Sequence, residues 1–340
     1  MRKLGWSAAA AFAFILSNPL QSTQSAELRS WRHGIVQPKG DAGFVAMVKE
    51  GGFAERQGLA LTLVPLQNDA LLVKALVAGE IDSYQAGTAA TLVAASHGAK
   101  LAILGCSWTG LPQSLFVRPG IDSINSLAGK SLAISAPGAQ ADLLARMLLL
   151  KHGMKAEALR FVDMGSDADR FKALVAGKVD AAISSSEFDR EAAAAGIKSL
   201  VAARDIAPDF VRFCEVTSAE RLAKSRDSVL RFLAADILAT RHALADRAAE
   251  IAVTRKLTGL GAEDERAPAM YDFVRHSRAV DPDLAIPADK LAWMQDLLVQ
   301  TGNIAKPVDL APLLASDLNR EAKALADREP APVPSGSSGR

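Results

Sequence analysis

KALVAGEID at residues 74–82 and KALVAGKVD at residues 172–180 agree at seven of nine positions, with an offset of 98. The flanks align as well. LTLV at 61–64 matches LRFV at 159–162, and Gly40 matches Gly138, each following an apolar segment. A helix ending at a glycine C-cap accounts for the local form of KALVAG, but not for the matched flanks. Self-similarity on this scale implies a duplicated structural unit. The first copy reads as strands near 29–36, 61–65, 81–84 and 101–106, with helices over 42–57, 70–78 and 89–97 between them. The second has strands near 131–135, 159–163, 179–184 and 198–202, with helices over 141–152 and 167–176. Alternation of this kind predicts parallel strands joined by right-handed crossovers, hence an α/β fold with two similar open sheets. Such sheets bind ligands beyond the carboxyl ends of their strands, where helix N-termini also point.

The 340 residues are 49% hydrophobic and 23% charged, which is enough apolar surface for two cores. Only 5% are aromatic, which suits helices packed on sheets better than a β-sandwich. The 39 basic and 38 acidic side chains are interspersed and the formal charge is +1, so there is no basic stripe for a nucleic acid. Residues 1–26 have the layout of a secretory signal: Arg2 and Lys3, an apolar run from Ala8 to Leu16 too short to span a bilayer, then a polar stretch. Its removal takes away two positive charges and no acid, changing +1 to −1. The expectation is an exported, soluble, periplasmic protein. Residues 218–326 read as mainly helical, with Ser225 as an N-cap, Pro287 in a first turn, and Gly259 and Gly302 as C-caps. They form no sheet and must pack on one of the two. The Pro- and Ser-rich residues 328–340 read as a disordered tail.

Cys106 and Cys214 can form one bridge in an oxidising compartment or stand as two buried small hydrophobes; both readings fit the spacing. The absence of CxxC, and the scatter of His33, His97, His152, His242 and His276, predict no metal and no cofactor. Enzyme signatures fail: GKS at 129–131 has Ile124 where a phosphate loop needs glycine, and no GxSxG or HExxH occurs.

The order of FVAMVKEGGFAERQGLALTLV (44–64), KALVAGEIDSYQAGT (74–88), SINSLAGKSLAISAPGAQAD (123–142), KALVAGKVDAAI (172–183) and IPADKLAWMQDLLVQTGNI (286–304) resembles the periplasmic solute-binding proteins of ABC importers. Within them it is similar to the branch that takes up alkanesulfonates, taurine, nitrate and thiamine-related pyrimidines. The resemblance covers residues 27–326. It implies a type II binding fold: two lobes of mixed, mainly parallel sheet with flanking helices, hinged by crossing segments near 111–118 and 210–218. Lobe 1 is then discontinuous, 27–112 plus 213–327, and lobe 2 is 113–212.

The residues just past each strand are those that can touch a solute. They nominate Gln37, Asp41, Asn68, Gln85, Thr88 and Trp108 in the first lobe, and Ser135, Pro137, Gly138, Ala139, Ser185 and Glu187 in the second. The loop 135–139 matches the family's serine-proline-glycine turn and is the leading anion-facing candidate, with Thr88 opposite; small residues there let backbone N–H groups approach an anion. Thr88, Asp69 and Asp167 are also good N-caps by type, and Trp108 is either a ligand-stacking ring or a core residue under the hinge. Lys39 is the one cation of these loops. Asp41, Asp69 and Glu187 suit an amine, a protonated heterocycle or a zwitterion. The reading is a monomeric, non-enzymatic solute-binding protein that delivers a small sulfonate-, nitrate- or pyrimidine-like solute to a permease and ATPase complex at the inner membrane. The alternatives are a cleft enzyme of the same fold using Cys106, and a ligand sensor that docks a receptor.

Overall fold

In the computed structural model, residues 27–329 are described. The expected signal at 1–26 and tail residues 330–340 lie outside them. The ten strands are β1 (Arg29–Val36), β2 (Leu59–Leu66), β3 (Ser83–Gly87), β4 (Leu101–Trp108), β5 (Gln113–Val117), β6 (Ser131–Ile134), β7 (Arg160–Asp163), β8 (Ala181–Ser185), β9 (Lys198–Ala202) and β10 (Phe213–Ser218). They form two five-stranded sheets, ordered β2-β1-β3-β10-β4 and β7-β6-β8-β5-β9. The duplication read from KALVAG is visible here. β3 and β8 span 83–87 and 181–185, and the preceding helices are Asp69–Val77 and Asp167–Val175, both pairs offset by 98.

The two crossing segments do more than connect. β5 leaves the first sheet and runs antiparallel between β8 and β9, while β10 returns and runs antiparallel between β3 and β4. Each sheet therefore has four parallel strands and one antiparallel strand supplied by a crossing chain, which makes both sheets mixed and mainly parallel. Within β10 the register against β4 shifts around Glu215, a bulge next to the cleft.

Both sheets are covered on both faces. One apolar cluster joins the two, running from Leu72, Ile103 and Cys106 through Leu111 and Phe210 to Leu115, Ile134 and Leu144, with Leu291, Met294 and Leu298 of helix Ala288–Gln300. A second lies between the first sheet and helix Arg226–Ala245, with Trp31, Phe44, Trp108 and Phe232. A third, smaller one holds Phe116, Phe171 and Phe188 beneath the second sheet. The expected single helix over 42–57 is two, Ala42–Glu50 and Phe53–Arg56. Gly52 between them has φ +70°, a left-handed conformation that ends the first helix.

Cys106 of β4 and Cys214 of β10 are joined by a disulfide and fully buried, which decides between the two readings of the sequence. The bridge fastens the returning strand to its neighbour across a sequence separation of 108, so it limits the freedom of a very long loop in the unfolded state. The double substitution Cys106→Ala/Cys214→Ala should cost about 2–4 kcal/mol of unfolding free energy, measured as a lower urea midpoint with an intact native spectrum.

Candidate functional site

Loops at the carboxyl ends of the parallel strands from both sheets meet across one cleft. After β1, Lys39 Nζ reaches Asp167 Oδ2 at the start of helix Asp167–Val175 in the other half, 2.8 Å away. A Cβ at Gly40 would collide with the carboxyl of Glu187, which follows β8. Gly138, after β6, packs against Asn303, whose amide nitrogen lies 2.5 Å from where a Cβ would sit. These contacts bring the two halves together, and beside them a cavity of about 20 Å³ lies within the first half, lined by Gln37, Pro38, Asp41, Gln85, Trp108 and Phe213 among others. That is space for a water molecule and no more.

Four of the residues nominated from sequence, Gln37, Asp41, Gln85 and Trp108, line this cavity. Gln85 is held from below: its amide nitrogen donates to Glu215 Oε1 (2.9 Å) and Ser107 Oγ (3.1 Å). Burial, reinforced by Asp236, pushes the Glu215 carboxyl well above the usual range. Trp108 is 2% exposed and meets Phe44 edge-on, so it is both a core residue and a wall of the cavity. The others serve the fold in this structure. Asn68 is an exposed N-cap that accepts from the Leu71 N–H, and Ser185 accepts from the Glu187 N–H. The Thr88 hydroxyl lies against Cys214 Sγ (3.3 Å).

The loop 135–139 also departs from its expected part. Gly138, at φ +77°, donates its N–H to Asp142 Oδ2 (2.7 Å), and Arg146 Nε contacts both oxygens of Asp142. The backbone donor expected to face an anion is thus taken by the chain's own carboxylate. Ala139 is the N-cap of helix Gln140–Lys151, Pro137 is exposed, and the Ser135 hydroxyl is buried without a hydrogen bond. The caps expected at Asp69 and Asp167 fall one residue earlier, on Asn68 and Ser166, which leaves both acids to face the cleft. Asp69 accepts from the Gly87 N–H (3.1 Å), and burial raises its carboxyl. Burial alone would raise Asp167 too, but Lys39, Arg170 and Arg212 hold it well below the usual range.

Cations are what the loops concealed. Lys39 was the one expected; Arg170, Arg212 and Arg266 are also present. Arg170 is fully engaged, donating to Asp167 Oδ1 (2.6 Å), the Ile183 carbonyl (2.6 Å) and the Gly165 carbonyl. Arg212, immediately before β10, is 1% exposed, with its guanidinium over the rings of Trp108 (4.6 Å) and Phe213 (4.2 Å). Its Nη1 is 2.8 Å from Asp41 Oδ2, yet poorly aligned, and none of its three side-chain nitrogens has a hydrogen bond. A signal existed in the stretch FVRFCEV at 210–216, where a charge inside an apolar strand must be buried and answered by something.

Cys106 has no free thiol, which removes the nucleophile from the cleft-enzyme reading. Among the described residues no group of histidines, cysteines and acids could hold a metal ion, and no helix is long and apolar enough to cross a membrane.

Glu187 is the most pH-sensitive element of the closure. Burial lifts its carboxyl to about 7; Lys39 opposes this, Asp41 and Asp167 add to it, and Arg266 opposes it. The unfolded chain binds fewer protons than the closed form between about 4.5 and 7, so stability falls as pH rises through that window. Glu187→Gln should match the wild type near pH 4.5 and exceed it by about 2–3 kcal/mol at pH 8, read from melting curves across that range.

Solved structures that share this fold include the following three. The periplasmic aliphatic sulphonate-binding protein SsuA from Escherichia coli superposes with a TM-score of 0.70 at 20% identity, covering 86% of this chain and 99% of that one. The alkanesulfonate-binding protein SsuA from Xanthomonas axonopodis pv. citri, bound to MOPS, gives 0.69 at 22% identity over 85% and 99%. The ligand-binding component of an ABC-type import system from Staphylococcus aureus, with zinc bound, gives 0.70 at 17% over 86% and 99%. No curated protein sequence matches this chain significantly. The family model described as NMT1/THI5 like matches residues 41–249, more than half of the chain. The chain, folded as a periplasmic binding protein, belongs to the NMT1/THI5-like family.

Proposed function

We propose that this protein is the extracytoplasmic solute-binding component of an ABC importer, acting in the periplasm as a monomer without chemical turnover. It captures a small sulfonate-, nitrate- or pyrimidine-like solute between two lobes, 27–112 plus 213–327 and 113–212, and delivers it to the permease. The observation that carries this reading is the meeting of loops from two like sheets, through Lys39–Asp167 and Gly40–Glu187, beside a small cavity in the first half. The two halves are joined by short connections, between β4 and β5 and just before β10, and can separate by rotation about those connections without unfolding either sheet. The sealed Cys106–Cys214 bridge agrees with a binding rather than a catalytic role.

The reading predicts that a cognate solute raises the melting temperature, because it binds the native state alone, and that it shifts the radius of gyration in solution scattering, because loops in contact here must move to admit it. A panel of ethanesulfonate, taurine, nitrate and an aminopyrimidine alcohol should contain at least one compound that does both and is recovered unchanged. Melting curves and scattering profiles indifferent to the whole panel would count against solute capture. Chemical conversion of the compound would count against a pure carrier.

A further inference from the structure

The buried polar atoms that lack hydrogen bonds include Asp41 Oδ2, Glu187 Oε2, and Nε, Nη1 and Nη2 of Arg212, all at the cleft. A structural arginine buried to this depth is normally saturated with acceptors, because each unanswered buried donor is costly. Arg170 shows what that looks like in the same cleft, with all its nitrogens engaged. Arg212 is held differently. Its backbone is clamped, the N–H donating to the Trp108 carbonyl (2.9 Å) and the carbonyl accepting from the Thr88 N–H (3.0 Å). Its plane is set by two aromatic rings, while its edge, which carries the donors, has Asp41 as its ion-pair partner, with Asp69 and Asp167 farther off. A guanidinium edge presents paired N–H donors in the spacing that matches two oxygens of one oxyanion.

Resting on the solute-binding reading, we infer that Arg212 and Asp41 form the recognition pair of the cleft and that the solute is dipolar. Its sulfonate or carboxylate oxygens take the Arg212 edge, and a hydrogen-bond donor, best an ammonium, takes Asp41. The second half follows from the first. A plain anion on Arg212 would sit beside the buried Asp41 carboxylate, only 2.8 Å from Nη1, and be repelled by it. A plain cation would be repelled by Arg212 in the same way. A solute carrying both groups replaces the misaligned contact with two aligned, charge-assisted ones. The side-chain carbonyl of Gln85, whose nitrogen is already taken, and the amide of Gln37, on the same cavity, offer neutral hydrogen bonds to the remainder.

Calorimetric titration with four matched probes separates the terms: 3-aminopropanesulfonate, 4-aminobutyrate, propanesulfonate and propylamine. The wild type should bind one of the two dipolar probes at least about 10-fold more tightly than either singly charged one, and comparison of those two tells sulfonate from carboxylate. Asp41→Asn, nearly isosteric, should reduce the dipolar probe to the level of the plain anion. Arg212→Lys, which keeps the charge but loses the paired donors, should weaken it by about 100-fold. Melting curves of the unliganded variants confirm that each is folded. Equal binding of propanesulfonate or propylamine, or an Arg212→Lys protein with unchanged affinity, overturns the pair assignment. If a neutral pyrimidine closes the lobes while the dipolar probes do not bind, the pair assignment falls and solute capture stands. If no probe binds and no compound of the broader panel closes the lobes, both fall.

Discussion

The structure depends on an exchange of strands. Each sheet lacks a member between its third and last parallel strands, and the chain fills that gap with the segment that crosses from the other half. A strand in this position satisfies two rows of backbone groups at once, since β10 pairs with β3 and β4, and β5 with β8 and β9. The connections between the sheets are consequently anchored at both ends by ladders, which leaves only short segments between the sheets unpaired. The disulfide, the bulge at Glu215 and the buried Arg212 all lie on or next to β10. The returning strand therefore forms the floor of the cleft.

That placement explains why so many ionisable groups tolerate burial here. Lys39, Arg170 and Arg212 face Asp41, Asp69, Asp167 and Glu187, and attraction at these separations, about 4 kcal/mol for a 4 Å pair at an effective dielectric of 20, offsets much of the cost of desolvation. The balance is uneven. Asp167, with several cations around it, is held ionised, whereas Glu187, with acids for neighbours, is pushed towards its neutral form. A buried ion pair without aligned hydrogen bonds, like Arg212–Asp41, adds little to stability compared with a well-packed apolar substitute. Its presence is better explained by what the cleft recognises than by what holds the fold together.

The fold was largely legible because its signals are local and repeated. KALVAG ends a helix at a glycine in both copies, and Gly79 and Gly177 adopt the left-handed conformation that this motif requires, at φ +74° and +69°. β1 and β9 fall where their alternating and apolar patterns put them. The crossing segments were visible only as connections, because whether an apolar stretch pairs as an antiparallel strand depends on partners far away in sequence. The site was legible in part. Position after a strand is a local property, and it placed Gln37, Asp41, Gln85 and Trp108 on the cavity. It also nominated Thr88 and Gly138, whose polar groups turn out to be answered by Cys214 and Asp142.

The sequence by itself determined the α/β class, the duplication, the position of the loops that bear the cleft, and the family resemblance, because all of these follow from periodicity and from residues close together in the chain. Only the tertiary structure decided that Cys106 and Cys214 meet, that Asp142 occupies the helix end expected to face an anion, and that Arg212 enters the cleft beside Asp41. Those outcomes depend on which groups find partners across 108, 4 and 171 residues. Even the shortest of these separations needs the backbone turn at Gly138 before it becomes a contact. Hydrogen-bond satisfaction is a property of the assembled neighbourhood, and in this protein it separates residues such as Arg170 and Gly138, answered within the fold, from Arg212, which is not.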